Sequence, residues 1–542
     1  MAHWFTRTLA GVAAAAIALF PVQPAFAQGG STATPIKHIV VIFQENVSFD
    51  HYFGTYPNAT NPTGEPAFYG KPNTPVVNGL GPALLTKNPN LNPANGTGAA
   101  NPFRLDRSQA VTRDQGHGYK QEQQAFDNGL MDLFPSTVGR ADVPPAGGGI
   151  LNTTALNLGY FDGNTVTALW NYAQHFAMND NSFSSTFGPS TPGLLNLVSG
   201  QTNGAINLAP TLFPGAVVDG GSGSFSVISD PDPLGDTCSN AAITISMKGQ
   251  NIGDLLEAAG VSWGSFMGGF NLQTVNPDGS AGCARTSTGL SGKTKDYIPH
   301  HAFFQYSATT SNLKHTRPLS VSEIGHDGPA NHNYDIVDFF AAVSAGNFPA
   351  VSILKAPAFQ DGHAGYSNPL DEQNFIVGVL NFLQTQPEWA STAVVIMYDD
   401  SDGWYDHQMS PIVNQSQGAQ DALSGAGLCG ASATSTALPG VDPANTHALG
   451  RCGYGPRQPF LIVSPWARKN FVDHSITDQS SVIRFIEDNW LGGQRIGQGS
   501  FDAIAGPING MFDFSQQGNQ NQGNPLILDP STGTVLNQQN QQ

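Results

Sequence analysis

Short apolar runs punctuate this chain at residues 38–43, 350–354, 392–398 and 460–464, and each reads as a strand. Between them the apolar spacing becomes helical. In DEQNFIVGVLNFLQT, Phe375, Ile376, Val379, Leu380 and Leu383 share one face. In SSVIRFIEDNW, Val482, Phe485 and Ile486 recur at helical spacing, with Asp478 as the expected cap. Strands alternating with helices predict an α/β fold, a three-layer sandwich around a central, mostly parallel sheet. The intervals 55–110, 203–250 and 409–455 are rich in Gly, Pro, Asn and Ser and lack periodicity, so loops and insertions above the core are expected there. No linker interrupts the apolar segments, so one large domain is expected over 28–514. From about Ser515 the chain turns Gln/Asn-rich, and 515–542 is expected to be a tail that cannot order itself alone.

Two of the strands run straight into oxygen ligands. HIVVIFQEN ends at Glu45 and Asn46, and TAVVIMYDD ends at Asp399 and Asp400. Carboxylates at adjacent strand ends repel one another unless a cation lies between them, and open α/β sheets bind ligands at their carboxyl edge. The pattern therefore predicts a divalent metal ion of unspecified identity and metal-assisted chemistry. The competing reading is that these residues cap strands in solvated turns. Their recurrence in two distant stretches favours the metal. Asp402, Asp406 and His407 continue the second strand end and are expected to buttress it rather than hold a second ion.

In FGPSTPGLLNLVSG a Gly-Pro turn delivers Ser190 and Thr191 just before Pro192, which suits the first position of a helix running through LLNLVSG. Ser190 is thus expected at a helix amino-terminus, where free N–H groups favour an alkoxide and a phosphoryl oxygen. Capping alone would also explain it. A phosphoester nucleophile needs a cation to ionise its hydroxyl, and Glu45, Asn46, Ser190, Asp399 and Asp400 are the candidate ligands, with Asn46 alternatively contacting the phosphoryl group. His117, His300, His301 and His363 sit in Gly- or Pro-rich turns beside acids. They are candidates for phosphoryl binding and proton transfer, with His363 the foremost.

Composition narrows the partners. The formal net charge of −18 argues against nucleic acid and anionic membranes, so a small phosphorylated substrate would need local help from a cation. Residues 1–27 read as a signal peptide: MAHWFTR, an apolar stretch, and AFA before Gln28. No later run approaches the about 20 apolar residues of a membrane span, so a soluble periplasmic or secreted protein is expected. In an oxidising compartment Cys238, Cys283, Cys429 and Cys452 read as disulfides with three possible connectivities. Sequential pairing would close two surface loops and contribute about 3–4 kcal/mol each in the chain-entropy model.

IKHIVVIFQENVSFDHYFGTYP, DQGHGYKQEQQAFDNGLMDLF, FGPSTPGLLNLVSG, YIPHHAFFQY, KAPAFQDGHAGYSNPLDEQ, MYDDSDGWYDH and RQPFLIVSPWARKNFVDHSITDQSSVIRFIEDNW together resemble the bacterial phospholipase C and acid phosphatase family. The resemblance covers nearly the whole mature chain and implies an alkaline phosphatase-like fold with a metal site at one sheet edge. By motif it carries the metal and nucleophile positions onto Glu45, Asn46, Ser190, Asp399 and Asp400. It carries phosphate binding and proton transfer onto His117, His300, His301 and His363.

The nucleophile block GPSTPG departs from the threonine, acid and Pro-Asn-Arg typical of the phospholipases. The chain also stops soon after RFIEDNW, where many phospholipases append β-rich domains. Both departures favour the phosphatase branch. The expectation is a metal-dependent acid phosphatase that forms a phosphoserine at Ser190, with His363 or a neighbouring histidine protonating the leaving group. The alternative is a phospholipase C acting on phospholipid headgroups. A non-catalytic secreted metal-binding protein is the third reading.

Overall fold

In the computed structural model, the described residues are 32–139, 149–220, 223–416, 418–425, 428–430, 450–515 and 525–536. The expected signal peptide lies outside them. Eight strands build the main sheet: β1 His38–Gln44, β2 Ala177–Asn179, β3 Trp263–Met267, β4 Asn333–Asp335, β5 Val351–Lys355, β6 Thr392–Tyr398, β7 Phe460–Val463 and β8 Phe471–Asp473. Their spatial order is β4-β3-β5-β1-β6-β7-β2-β8. Only β7 runs antiparallel to its neighbours; the remaining pairs are parallel. At the centre, Ile39 pairs with Val351, and Gln44 with Tyr398. Every residue of β5 and β6 is buried, and so is β1 after His38, which is why these strands read as unbroken apolar runs.

Helices cover the sheet in two groups. One contains α2 Thr167–His175, α5 Ile336–Ser344 and α6 Pro369–Gln384, with Phe340 of α5 edge-on to Phe382 of α6 at 5.0 Å. The other contains α3 Ser190–Ser199, α4 Ile252–Ala258 and α7 Ser481–Trp490. A separate short helix, α1 Tyr119–Phe126, packs beside the edge that carries the acidic cluster. Asn368 caps α6 by accepting from Leu370 N and Asp371 N, and Pro369 opens the helix where its missing N–H costs nothing. Asp478 does not cap α7. It belongs to a two-residue strand and accepts from the hydroxyls of Ser480 and Ser481, while Ser480 occupies the cap position. No described helix is long and apolar enough to cross a membrane.

Two stretches differ from expectation. Residues 203–250 carry a second, five-stranded sheet in the order Val217–Asp219, Phe225–Val227, Asn203–Ile206, Thr244–Met247, Asp232–Pro233. Ala205, Val227, Ile245 and Met247 form a small apolar cluster there with Leu195 of α3 and Tyr306. Within 515–542, residues 525–536 lie against α6. The side-chain amide of Gln384 both donates to Leu526 O (2.9 Å) and accepts from Leu526 N (2.8 Å). Asn381 does the same for Leu528, at 2.8 and 3.1 Å. Two amides one helical turn apart thus act as strand partners for an extended segment, and Leu526 and Leu528 are buried. The two disulfides are Cys238–Cys283 and Cys429–Cys452, the sequential pairing.

Candidate active site

The carboxyl edge of the sheet gathers the acidic residues. Glu45 and Asn46 follow β1, Asp399 and Asp400 follow β6, and both pairs are buried. α3 begins at Ser190, so Pro192 is its third residue rather than its first. Ser190 Oγ lies 3.1 Å from Glu45 Oε2 and 3.2 Å from Asp400 Oδ2. Asp399 Oδ1 accepts from the N–H groups of Asn46 and Asp400, both at 2.8 Å. Asn46 holds φ at 61°, a left-handed turn that asparagine tolerates, and this turn presents its N–H to Asp399. The helix reaches the strand end because residue 193 is glycine: a Cβ there would lie 2.2 Å from Asp399 O. Glu122 of α1 secures the approach to the helix, accepting from Gly188 N and Ser401 Oγ, both at 2.9 Å. Burial raises Glu122 to about 7.

All four candidate histidines rim this cluster. His301 Nδ1 is 3.2 Å from Glu45 Oε1 and 3.9 Å from Asp361 Oδ2. His300 packs against His301, ring centroids 4.6 Å apart, and faces Asp232 at 3.6 Å. His117 Nδ1 is 3.1 Å from Asp402 Oδ1, and its ring stands 6.1 Å from that of His363. His363 stacks on Tyr366 and sends Nδ1 to Ala364 O at 2.6 Å. A carbonyl only accepts, so Nδ1 carries the hydrogen and Nε2 is left as a lone pair. Burial pushes His363 down to about 4, keeping it neutral near pH 7. For His117 burial acts in the same downward sense, but the carboxylates of Asp400, Asp402 and Asp114 overcome it and raise the group well above its ordinary value.

Lys355 and Asp361 complete the cluster, and neither was singled out from sequence. Lys355 ends β5, is 1% exposed, and its ammonium pairs with Glu45 Oε1. Asp361 is fully buried; its carboxylate accepts from His363 N at 3.0 Å and from Tyr366 Oη at 3.3 Å. A lysine closing an apolar run at the same edge as QEN and YDD was the available signal. Asp406 and His407 belong to a neighbouring network in which Arg457 binds both Asp50 and Asp406.

Burial raises Glu45 and Asp400 well above the usual carboxylate range, and the adjacent Asp399 adds to the effect. Asp399 is itself held below its usual value: burial opposes this, but Lys355 and the donated hydrogen bonds prevail. These acids cannot all be ionised so close together without a cation. Asn46 Oδ1 and Asp399 Oδ2 are buried without a hydrogen-bond partner. Two unmatched oxygens beside two carboxylates and a hydroxyl form a hard donor set that fits a divalent metal ion.

The chain is 26% identical over 506 residues to a non-hemolytic phospholipase C of Pseudomonas aeruginosa, covering 90% of this chain and 58% of that one. It is 25% identical over 545 residues to a non-hemolytic phospholipase C of Burkholderia pseudomallei, covering 94% and 65%. With phospholipase C A of Mycobacterium tuberculosis it shares 23% identity, covering 93% and 81%. The chain thus spans less than two thirds of the first two relatives. Among solved structures, a protein in the alkaline phosphatase superfamily from Vibrio parahaemolyticus is 11% identical with a TM-score of 0.27, covering 76% of this chain and 77% of that one. The Phosphoesterase family profile matches residues 36–491, and the chain belongs to that family.

Proposed function

We propose that this chain is an exported, metal-dependent phosphoric ester hydrolase whose nucleophile is Ser190, acting on phosphomonoesters. The observation that carries this reading is the position of the Ser190 hydroxyl, at the first turn of α3 and within 3.2 Å of both Glu45 and Asp400. Glu45, Asn46, Ser190, Asp399 and Asp400 would hold the metal ion, which when bound supplies positive charge that favours the serine alkoxide and screens the phosphoryl group.

The chain's own groups do the rest. The positive end of α3 favours the phosphoryl oxygens, while its Thr191 N–H is taken by Asp230 Oδ1 at 2.8 Å, and Lys355 fixes Glu45. Ser190 Oγ forms a bond to phosphorus as the alcohol departs, leaving a phosphoserine that water then hydrolyses. His363, with Nδ1–H tied to Ala364 O, presents Nε2 as the relay atom: it takes the proton that Ser190 Oγ gives up and passes it to the leaving oxygen, then takes one from the attacking water and returns it to Ser190 Oγ. His117, His300 and His301 line the phosphoryl position.

The test is turnover of p-nitrophenyl phosphate. Ser190→Ala should abolish it while the fold persists, and near-normal turnover would remove Ser190 from the mechanism. Dialysis against a strong chelator should also abolish turnover, with recovery on adding back divalent metal. A second reading, hydrolysis of phosphodiester lipid headgroups, is favoured by the names of the relatives above. Faster turnover of p-nitrophenyl phosphorylcholine than of p-nitrophenyl phosphate would select it.

A further inference from the structure

The opposite edge of the sheet holds a second group of metal-ligating side chains, far from Ser190. His332 immediately precedes β4, Glu257 lies near the end of α4, and Asp327 sits in the loop leading to β4. Trp263, the first residue of β3, forms the floor: its ring stacks on His332 at 4.4 Å with an 8° interplanar angle. Both strands begin here and run toward the catalytic edge, so the strand length separates the two groups.

His332 is 4% exposed, and its Nδ1 lies 2.8 Å from Trp263 O. Because a carbonyl has no proton, a ring hydrogen sits on Nδ1, and Nε2 is left either as a lone pair or with a second proton. That nitrogen points at acceptors: Glu257 Oε2 at 2.9 Å and Asp327 Oδ1 at 3.9 Å. Trp263 Nε1–H donates to Glu257 Oε2 at 3.3 Å and orients it. One ligand atom from each of the three residues lies within 4.8 Å of the other two. A buried nitrogen lone pair facing two carboxylates is repulsive unless a proton or a cation lies between them.

We infer that Glu257, Asp327 and His332 form a second metal site, specific for zinc or a similar borderline divalent ion, that staples α4 to the loop before β4. One imidazole with two carboxylates matches zinc's preference for nitrogen and oxygen ligands, with water completing four-coordination. Calcium and magnesium favour all-oxygen sets. A backbone carbonyl holding the far ring N–H is the usual support of a metal-bound histidine. Solvent access is open, since the side chains of Glu257 and Asp327 are 44% and 87% exposed.

The full-length protein is stripped with chelator and titrated with zinc chloride, with bound zinc counted by elemental analysis after gel filtration. Wild type should bind one zinc more than the double variant Glu257→Gln/Asp327→Asn, and zinc should raise its melting temperature further. The variant should keep wild-type turnover when the catalytic metal is restored, because neither residue touches the catalytic edge; this also verifies its fold. His332→Gln should lose the same equivalent. Cobalt loading should add visible absorption bands in wild type that both variants lack. Equal zinc stoichiometry in wild type and the double variant would overturn the inference and leave a shared proton as the occupant.

Discussion

Gly193 and Asp399 touch through their backbones: a β-carbon on Gly193 would lie 2.2 Å from the Asp399 carbonyl oxygen and 2.7 Å from its carbon. The contact is to main chain, which cannot rotate away. Gly193→Ala must therefore push α3, and Ser190 with it, off the strand end. We expect at least a tenfold fall in kcat on p-nitrophenyl phosphate and a loss of about 1–3 kcal/mol in unfolding free energy, as for other overpacked cores. Steady-state kinetics and urea unfolding check both, and wild-type values would refute the close packing.

Lys355 is the buried cation of the catalytic edge, and removing one partner of a buried ion pair leaves the other unbalanced. Lys355→Met should cost about 3–5 kcal/mol in chelator-treated protein. Denaturant titration reads this directly. A variant as stable as wild type would mean that Glu45 gains nothing from the ammonium.

Glu372 receives hydrogen bonds from Tyr52 and Tyr398, at 2.8 and 2.6 Å, beneath the site. Burial raises it to about 8 from 4.5, although both tyrosines pull the other way. The folded state thus keeps a proton that the unfolded chain releases near 4.5. The stability from this group is complete below pH 4.5 and is lost as pH rises toward 8, with a slope on the order of 1.4 kcal/mol per pH unit. Melting curves from pH 5 to 8 should show Glu372→Gln losing less stability than wild type over that window. Parallel profiles would contradict the shift.

The amide clasp on α6 predicts a local effect. Asn381→Ala/Gln384→Ala removes four hydrogen bonds to Leu526 and Leu528, each contributing about 0.5–1.5 kcal/mol. Limited proteolysis followed by mass spectrometry should find faster cleavage within 525–536, with kcat unchanged. Equal cleavage rates would show that the two buried leucines hold the segment without the amides.

The central strands were legible because residues buried on both faces must be apolar, and the oxygen-rich ends of β1 and β6 stood out against them. Ser190 was legible through its Gly-Pro turn, although Pro192 misplaced the helix start by two residues. Lys355 was not, because a lysine ending an apolar run usually marks solvent; here only the carboxylates of other segments make it a buried partner. The sheet over 203–250 escaped notice because its strands span two to four residues, too few for a period to register. Residues 525–536 read as tail because their order comes from Asn381 and Gln384, polar positions on a helix whose apolar face drew attention. The Glu257, Asp327 and His332 group had no motif at all, since two separate segments supply it, α4 and the loop before β4.

The reversed direction of β7 has its own consequence. The chain leaves β6 at Tyr398 and re-enters at Phe460 on the same rim. The two ends of the intervening chain are therefore anchored side by side on one rim. Its length and composition can change without asking the sheet to re-register, whereas a parallel successor would have required the chain to travel to the far rim and back. Past Asp399 and Asp400, a change of length there leaves the strands that carry Glu45 and Asp400 in register.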